Sequence, residues 1–534
     1  MYLIEQRLAQ LDQGTFFPSR IGVEKESLRT TQSGHLTQTS HPSAWGAALT
    51  HPAVTTDYAE ALTEFITPPL TQPEAVCNYL LQWHTYTSQH LTDEQFWAAS
   101  MPCRLPSDDQ IRVADYGPSN LGRMKQVYRI GLGHRYGRAM QVIAGVHFNW
   151  SLPDPFWQHY AELMQQPSAS DWCTLRDEHS LGLIRNIVRF GWLIPYLFGA
   201  SPVVGQSFLA SEPEQLRRWD KQTYYQPDAT SLRMGDIGYQ NSADTGSDWS
   251  VNYNTVRDYA RSLLQATLTP SPIWHKIGVK VKNQYRQLND HILQIENEYY
   301  SPVRPKQRAD SLESPAIALV ERGINHIELR SLDVNLYAPV GITPEQLYFL
   351  DAFMLTHLLA PSPPLSQQEQ QASQRNLRLI AQQGRTMDLR LDRVGQAVSH
   401  RAWGLELLQT MAPVCAWLDQ QHNTCSYTQS LKVQQAKLQD PALTPSARLW
   451  HEIQSHRTSF YEIVADYSAQ HRQFFQQQTL SPAQRHQCDQ ISAASCQQLA
   501  RIEADDPLDF DQFLTHYFAS VTRAANHLGL LPGS

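Results

Sequence analysis

The chain has 534 residues, 41% hydrophobic and 18% charged, ordinary proportions for a globular protein several times the usual size of one domain. Its formal net charge is -8 and it has no Lys/Arg cluster of the kind that follows a phosphate backbone, which excludes nucleic acid as a partner. Seven cysteines with no Cys-x-x-Cys pair exclude zinc-ribbon and thioredoxin-like sites and fit a reducing cytoplasm, where the protein is expected.

The first eight residues mix charged with apolar side chains, so they predict a short amphipathic helix rather than the apolar core of a signal peptide. From about residue 20 to 335, short runs of period-two alternation recur between helical segments. Five matter: Val23 to Leu28, Thr63 to Thr67, Gly145 to Ser151, Leu293 to Glu298, and Ile327 to Leu332. One face of each is apolar or neutral. The other carries Glu24 with Glu26, Glu64, His147 with Asn149, Glu296 with Glu298, or Glu328 with Arg330. Alternation sends Glu24 and Glu26 to one side with Cα atoms roughly 6.5 Å apart. A polar strand face is ordinarily just solvated; its repetition on five strands is what points to a site. The segment Thr55 to Pro68 adds Asp57 to Glu64 and reads either as extended chain or as a helix with residues 57, 60 and 64 on one face.

Helices are signalled between the strands. Asp154-Pro155 opens one, and Thr343-Pro344-Glu345-Gln346 forms a capping box ahead of Leu347 to Leu359. The long apolar stretch Leu181 to Phe198 contains Arg185, Asn186, Arg189 and Pro195, which a lipid-exposed span would not tolerate, so it is expected to be buried in protein. Pro361-Ser362-Pro363-Pro364 breaks the chain, and a Gln/Arg-rich helical pattern follows. The expected division is a catalytic region, 1–340, and a mainly helical region, 341–534.

Many carboxylates with few clustered histidines or cysteines suit a hard cation such as Mg²⁺, with Mn²⁺ as a substitute, and such ions neutralise a nucleoside triphosphate during phosphoryl transfer. No Gly-x4-Gly-Lys-Ser/Thr cradle occurs, and the glycines of Gly131 to Gly137 have the wrong spacing for a dinucleotide fingerprint. ATP would therefore be held by metals and strands. Taken alone, His147 reads as a core histidine or a ligand, and Glu328 with Arg330 as a cross-strand ion pair or a metal ligand beside a phosphate clamp.

The motifs together resemble the proteobacterial type of glutamate–cysteine ligase. The likeness is carried in order by Gly22 to Arg29, Thr55-Thr56-Asp57 through Pro68, Ser100 to Cys103, Gly145 to Asn149, Phe190 through Pro202, Thr230 to Arg233, Gln294 to Glu298, Arg304-Pro305-Lys306 and Ile327 to Asp333. Lys25 departs from it, since the family more often has Arg there. The resemblance implies an α+β fold with a curved antiparallel sheet, like that of glutamine synthetase, forming a funnel flanked by helices. It implies that ATP phosphorylates the γ-carboxylate of L-glutamate and that the amine of L-cysteine displaces phosphate, the first step of glutathione biosynthesis. By the same likeness Glu24, Glu26, Asp57, Glu64, His147 and Glu328 form the metal set, with Glu60 at its edge. Arg330 steadies the transferred phosphate, with Glu24 and Glu64 beside it at the nucleotide, and Arg233 meets a substrate carboxylate or phosphate. Tyr128, Leu132, Gln141, Tyr239 and Tyr300 make the cysteine pocket. A monomer without membrane contact is expected. The metal site alone does not name the nucleophile, so ligation of glutamate to another amine stands as an alternative, and the carboxylates taken alone would also suit a two-metal phosphohydrolase.

Overall fold

The structure, a computed structural model, describes residues 2–12, 14–164, 172–211, 214–238, 249–310 and 312–530. Its main sheet has seven strands: β1 (Arg20–Thr31), β2 (Val54–Thr56), β3 (Leu62–Ile66), β4 (Glu94–Phe96), β5 (Val146–Ser151), β6 (Val303–Lys306) and β7 (His326–Leu332). They lie in the order β6-β7-β5-β1-β3-β2 with every pair antiparallel, and β4 joins the far end of β1. With helices on either side, this is the expected α+β class. β1 is the spine, because Arg20 to Lys25 pair with β5 and Glu24 to Leu28 pair with β3.

Alternation along β1 divides its side chains as the sequence predicts. Lys25 takes the face that packs on helix α1 (Pro73–Ser88), where its Nζ lies 3.1 Å from His84 Nε2 and Phe65 stacks on the His84 ring. Burial pulls the Lys25 ammonium down to about 7. Glu24 and Glu26 take the other face.

The segment Thr55 to Pro68 resolves as strand, turn and strand, with Asp57 just after β2 and Glu64 on β3. One predicted strand is absent: Glu296–Glu298 forms a single 3₁₀ turn. Its alternating acids face different partners. Glu296 accepts from the Ser314 hydroxyl and, at 2.7 Å, from the Ala316 amide at the start of helix Pro315–Arg322. Glu298 binds Arg135 at 2.8 Å on helix α2 (Asn120–Tyr136). Two local demands of opposite direction bend the backbone out of extension.

The polar residues of the apolar stretch Leu181 to Phe198 hold the proline-rich break in place. They sit on helix α3 (Trp172–Phe190), whose Arg185 donates to the Ser362 carbonyl at 3.0 Å and whose Arg189 donates to that of Pro363 at 2.9 Å. No helix among the described residues is long and apolar enough to cross a membrane. Beyond α4 (Val256–Leu268) in the chain, the capping box at Thr343 is present and opens helix α5 (Pro344–Leu359). A continuous cluster of buried apolar side chains runs from Ile4 to Cys488, and a second gathers around the last helix, α6 (Phe510–His527).

Candidate active site

Strand register builds the centre of the site. Glu24 stands directly opposite His147 across β1 and β5, and Glu26 directly opposite Glu64 across β1 and β3, so four side chains share one face at neighbouring cross-strand positions. His147 Nδ1 lies 3.0 Å from Glu24 and 3.7 Å from Glu328, and its Nε2 lies 3.7 Å from Glu26. Asn149 adds a hydrogen bond to Glu24 at 2.9 Å. Arg330 follows Glu328 on β7, its guanidinium 3.2 Å from that carboxylate, where a bulge between Leu329 and Leu332 inserts one residue against β5. A bulge re-aims the side chain it carries.

Arg233 reaches the site from outside the sheet, at the 3₁₀ turn Leu232–Met234. It donates to the Arg330 carbonyl at 2.9 Å and lies 3.7 Å from Asp333. Gly145 lets it pass, since a Cβ there would meet Arg233 Nη2 at 2.2 Å. The Gly145 amide in turn donates to Glu26 at 2.6 Å.

These groups open into one cavity of about 420 Å³. Its lining includes all six predicted metal residues, Glu24, Glu26, Asp57, Glu64, His147 and Glu328, together with Arg233, Arg330, Tyr128, Leu132, Gln141 and Tyr300. Tyr239 lies outside the described residues. Glu60 is not part of the lining, because its two carboxylate oxygens accept from the backbone amides of His41, at 2.7 Å, and Asp115, at 2.8 Å.

Several lining residues carried no assignment from sequence. Arg304 sits opposite Glu328 in the β6–β7 register, and Lys306 Nζ lies 3.5 Å from the Glu328 carboxylate. Both belong to a stretch that carried the resemblance. On α2 the lining residues Leu121, Met124, Lys125, Tyr128, Arg129, Leu132 and Tyr136 recur at spacings of three and four, so stepping along the helix from Tyr128 finds the rest. Glu298 also lines the cavity, with its oxygens taken by Arg135, Tyr136 and the Gln294 amide.

The carboxyls at the centre are shifted in opposite directions. Burial pushes the Glu24 carboxyl up, but the hydrogen bond from His147 and the charges of His147 and Lys306 outweigh burial and the repulsion of Glu328, leaving it at about 2. Glu328 is also held well below the carboxylate range: burial opposes this, and Lys306, Arg330, His147 and Arg304 overcome it. Burial and then the charges of Glu24, Asp57 and Glu26 drive Glu64 well above that range, and burial raises Glu26 as well. A cation bound among these groups would favour the ionised form of Glu64. Ligand atoms of Glu24, His147 and Glu328 lie within 4.8 Å of one another. Glu328 Oε2 is buried with no hydrogen-bond partner. A buried carboxylate oxygen left unpaired is costly unless a cation meets it, so this donor set fits a divalent metal, and its oxygen-rich character suits Mg²⁺ or Mn²⁺.

Fold and cavity together define a class: an α+β enzyme whose cavity gathers carboxylates, one imidazole and four arginines, a set suited to a divalent cation and phosphate. A family model described as glutamate–cysteine ligase matches residues 6–380, and the chain belongs to that family. It is 44% identical over 508 residues to a glutamate–cysteine ligase of Alcanivorax borkumensis, covering 93% of this chain and 95% of that one. With the enzyme of Pseudomonas paraeruginosa the identity is 41% over 526 residues, covering 97% and 98%. Among solved structures, the glutamate–cysteine ligase of Francisella tularensis in complex with AMP is 32% identical and superposes with a TM-score of 0.89, covering 95% of this chain and 99% of that one. A bifunctional glutathione synthetase of Pasteurella multocida, 23% identical with a TM-score of 0.70, shares the fold over 92% of this chain and 57% of its own.

Proposed function

We propose that this enzyme joins the amine of L-cysteine to the γ-carboxylate of L-glutamate, with ATP converted to ADP and phosphate through a γ-glutamyl phosphate. The observation that carries the reading is the single cavity in which Glu24, His147 and Glu328 converge beside Arg233 and Arg330, in a chain of this family. The relatives' names support glutamate and cysteine as substrates, and the AMP complex of the Francisella enzyme supports an adenine nucleotide.

Glu24, Glu26, Asp57, Glu64, His147 and Glu328 would hold Mg²⁺, or Mn²⁺ in its place. When bound, the metal neutralises triphosphate charge and fixes the phosphoryl oxygens. Arg330 steadies the charge on the phosphoryl group in transfer; burial disfavours its own charge, but Glu328 and Glu26 outweigh burial and keep it protonated. Arg233, held by the Arg330 carbonyl and Asp333, is set to meet a substrate carboxylate or phosphate. Tyr128, Leu132, Gln141 and Tyr300, with Tyr239 by the family likeness, would receive cysteine. Positioning and charge neutralisation suffice, and no nucleophile from the protein is needed. The residues so assigned all fall within 1–340, and free cysteines at all seven positions suit work in the cytoplasm.

ADP release should require Mg²⁺, glutamate and cysteine together. ADP release independent of cysteine would overturn the reading, and a panel of other amines beside 2-aminobutyrate would show whether a different acceptor is preferred.

A further inference from the structure

One wall of the cavity comes from far outside residues 6–380. Tyr517, near the middle of α6, joins the lining and is 9% exposed. It packs in the cluster that holds Met124 of α2, with Tyr128 and Ile295 against the same cluster. α6 is fastened at both ends: Asn120 donates to Asp506 and to the Leu508 carbonyl just before the helix, and Arg261 of α4 donates to the Leu528 carbonyl just after it at 2.8 Å. Helix α6 is thus a built part of the site.

The cavity is uneven in character. The strands contribute Glu24, Glu26, Glu64 and Glu328 with Arg304, Lys306 and Arg330, where a triphosphate and a dicarboxylate would be neutralised. Met124, Tyr128, Ile295 and Tyr517 pack in one apolar cluster on the α2–α6 side of the cavity, with Lys125, Arg129 and Glu298 also in the lining. An uncharged side chain buries apolar surface against those four clustered residues. We infer that Tyr517 bounds the recess that takes the side chain of the acceptor amino acid and limits how long that side chain can be. This rests on the ligase reading above, and the adenine ring is the competing occupant.

The test uses the full-length chain, wild type beside Tyr517→Ala and Tyr517→Phe, with ADP release measured for cysteine, 2-aminobutyrate, 2-aminopentanoate and 2-aminohexanoate. An apolar pocket discriminates by roughly 10–200-fold per methylene. Tyr517→Ala is therefore expected to raise the KM for cysteine and to shift kcat/KM toward 2-aminohexanoate by about tenfold or more, while the KM values for ATP and glutamate hold. Tyr517→Phe keeps the ring and is expected to keep the wild-type order. Unaltered acceptor preference in Tyr517→Ala overturns the inference, and a raised KM for ATP with unaltered preference overturns it in favour of adenine. If the alanine variant does not fold, Tyr517→Leu is read by the same criteria. Absence of cysteine-dependent ADP release in the wild type removes the ligase reading itself, an outcome distinct from intact turnover with unchanged preference.

Discussion

Gly145 lies so close to Arg233 that a single added methyl group would overlap the guanidinium, with a Cβ 2.2 Å from Nη2. The neighbour is the far end of a flexible side chain, so Gly145→Ala should displace Arg233 and leave the fold intact. Activity is expected to fall by about tenfold or more, a loss of transition-state stabilisation of about 1.4 kcal/mol or greater. Steady-state rates beside thermal melts check this. Full activity in a folded Gly145→Ala protein would show that Arg233 need not stand where it does.

The four carboxylates Glu24, Glu26, Glu64 and Glu328 repel one another around a single imidazole, so a divalent cation should stabilise the folded chain. At a hundredfold excess over its dissociation constant, a metal that binds only the folded state adds about 2.7 kcal/mol. The melting temperature should rise with Mg²⁺ and return with chelator. Glu328→Gln, which removes a charge at the point where the three ligands converge, should lose most of that rise. An equal Mg²⁺ response in wild type and variant would place the metal elsewhere.

Much of this centre was legible because period-two alternation is a local property. Glu24 with Glu26, His147 with Asn149, and Glu328 with Arg330 each announce a polar strand face within a few residues. What placed Glu24 opposite His147 was strand register, which depends on partners more than 120 residues apart and leaves no local trace. Glu296 and Glu298 show the limit: their alternation imitates a strand, yet the demands of Ala316 and Arg135 fold them into a turn. Glu60 shows another, since its spacing suits the site while two backbone amides claim its oxygens. Tyr517 carried no signal, because nothing in a helix at residue 510 reports which cavity it will wall.

Arg330 combines a position at a bulge with a guanidinium 3.2 Å from Glu328. Lysine keeps the charge and loses the planar fork that meets phosphate oxygens at two points. Arg330→Lys should therefore lower kcat by roughly 10²–10³-fold, the range for loss of one preorganised donor at developing charge. The KM for glutamate should change little by comparison. A variant that lost only affinity would assign Arg330 to ground-state binding.

Glu296 is buried, and burial raises its carboxyl to about 7 against the lowering effect of its bonds with Ser314 and Ala316. Its ordinary value is 4.5, so the folded chain holds this proton more tightly than the unfolded chain does. That contribution to stability is complete below about pH 4.5 and is lost as pH rises through about 7. The shift corresponds to a loss on the order of 3 kcal/mol by pH 8. Glu296→Gln reproduces the protonated form, with an oxygen to accept from Ala316 and an amide to donate to Ser314. The variant should match wild type near pH 4.5 and exceed it increasingly toward pH 8 in urea unfolding. Parallel curves for the two proteins across that range would mean that the Glu296 carboxyl ionises in the folded chain as readily as in the unfolded one.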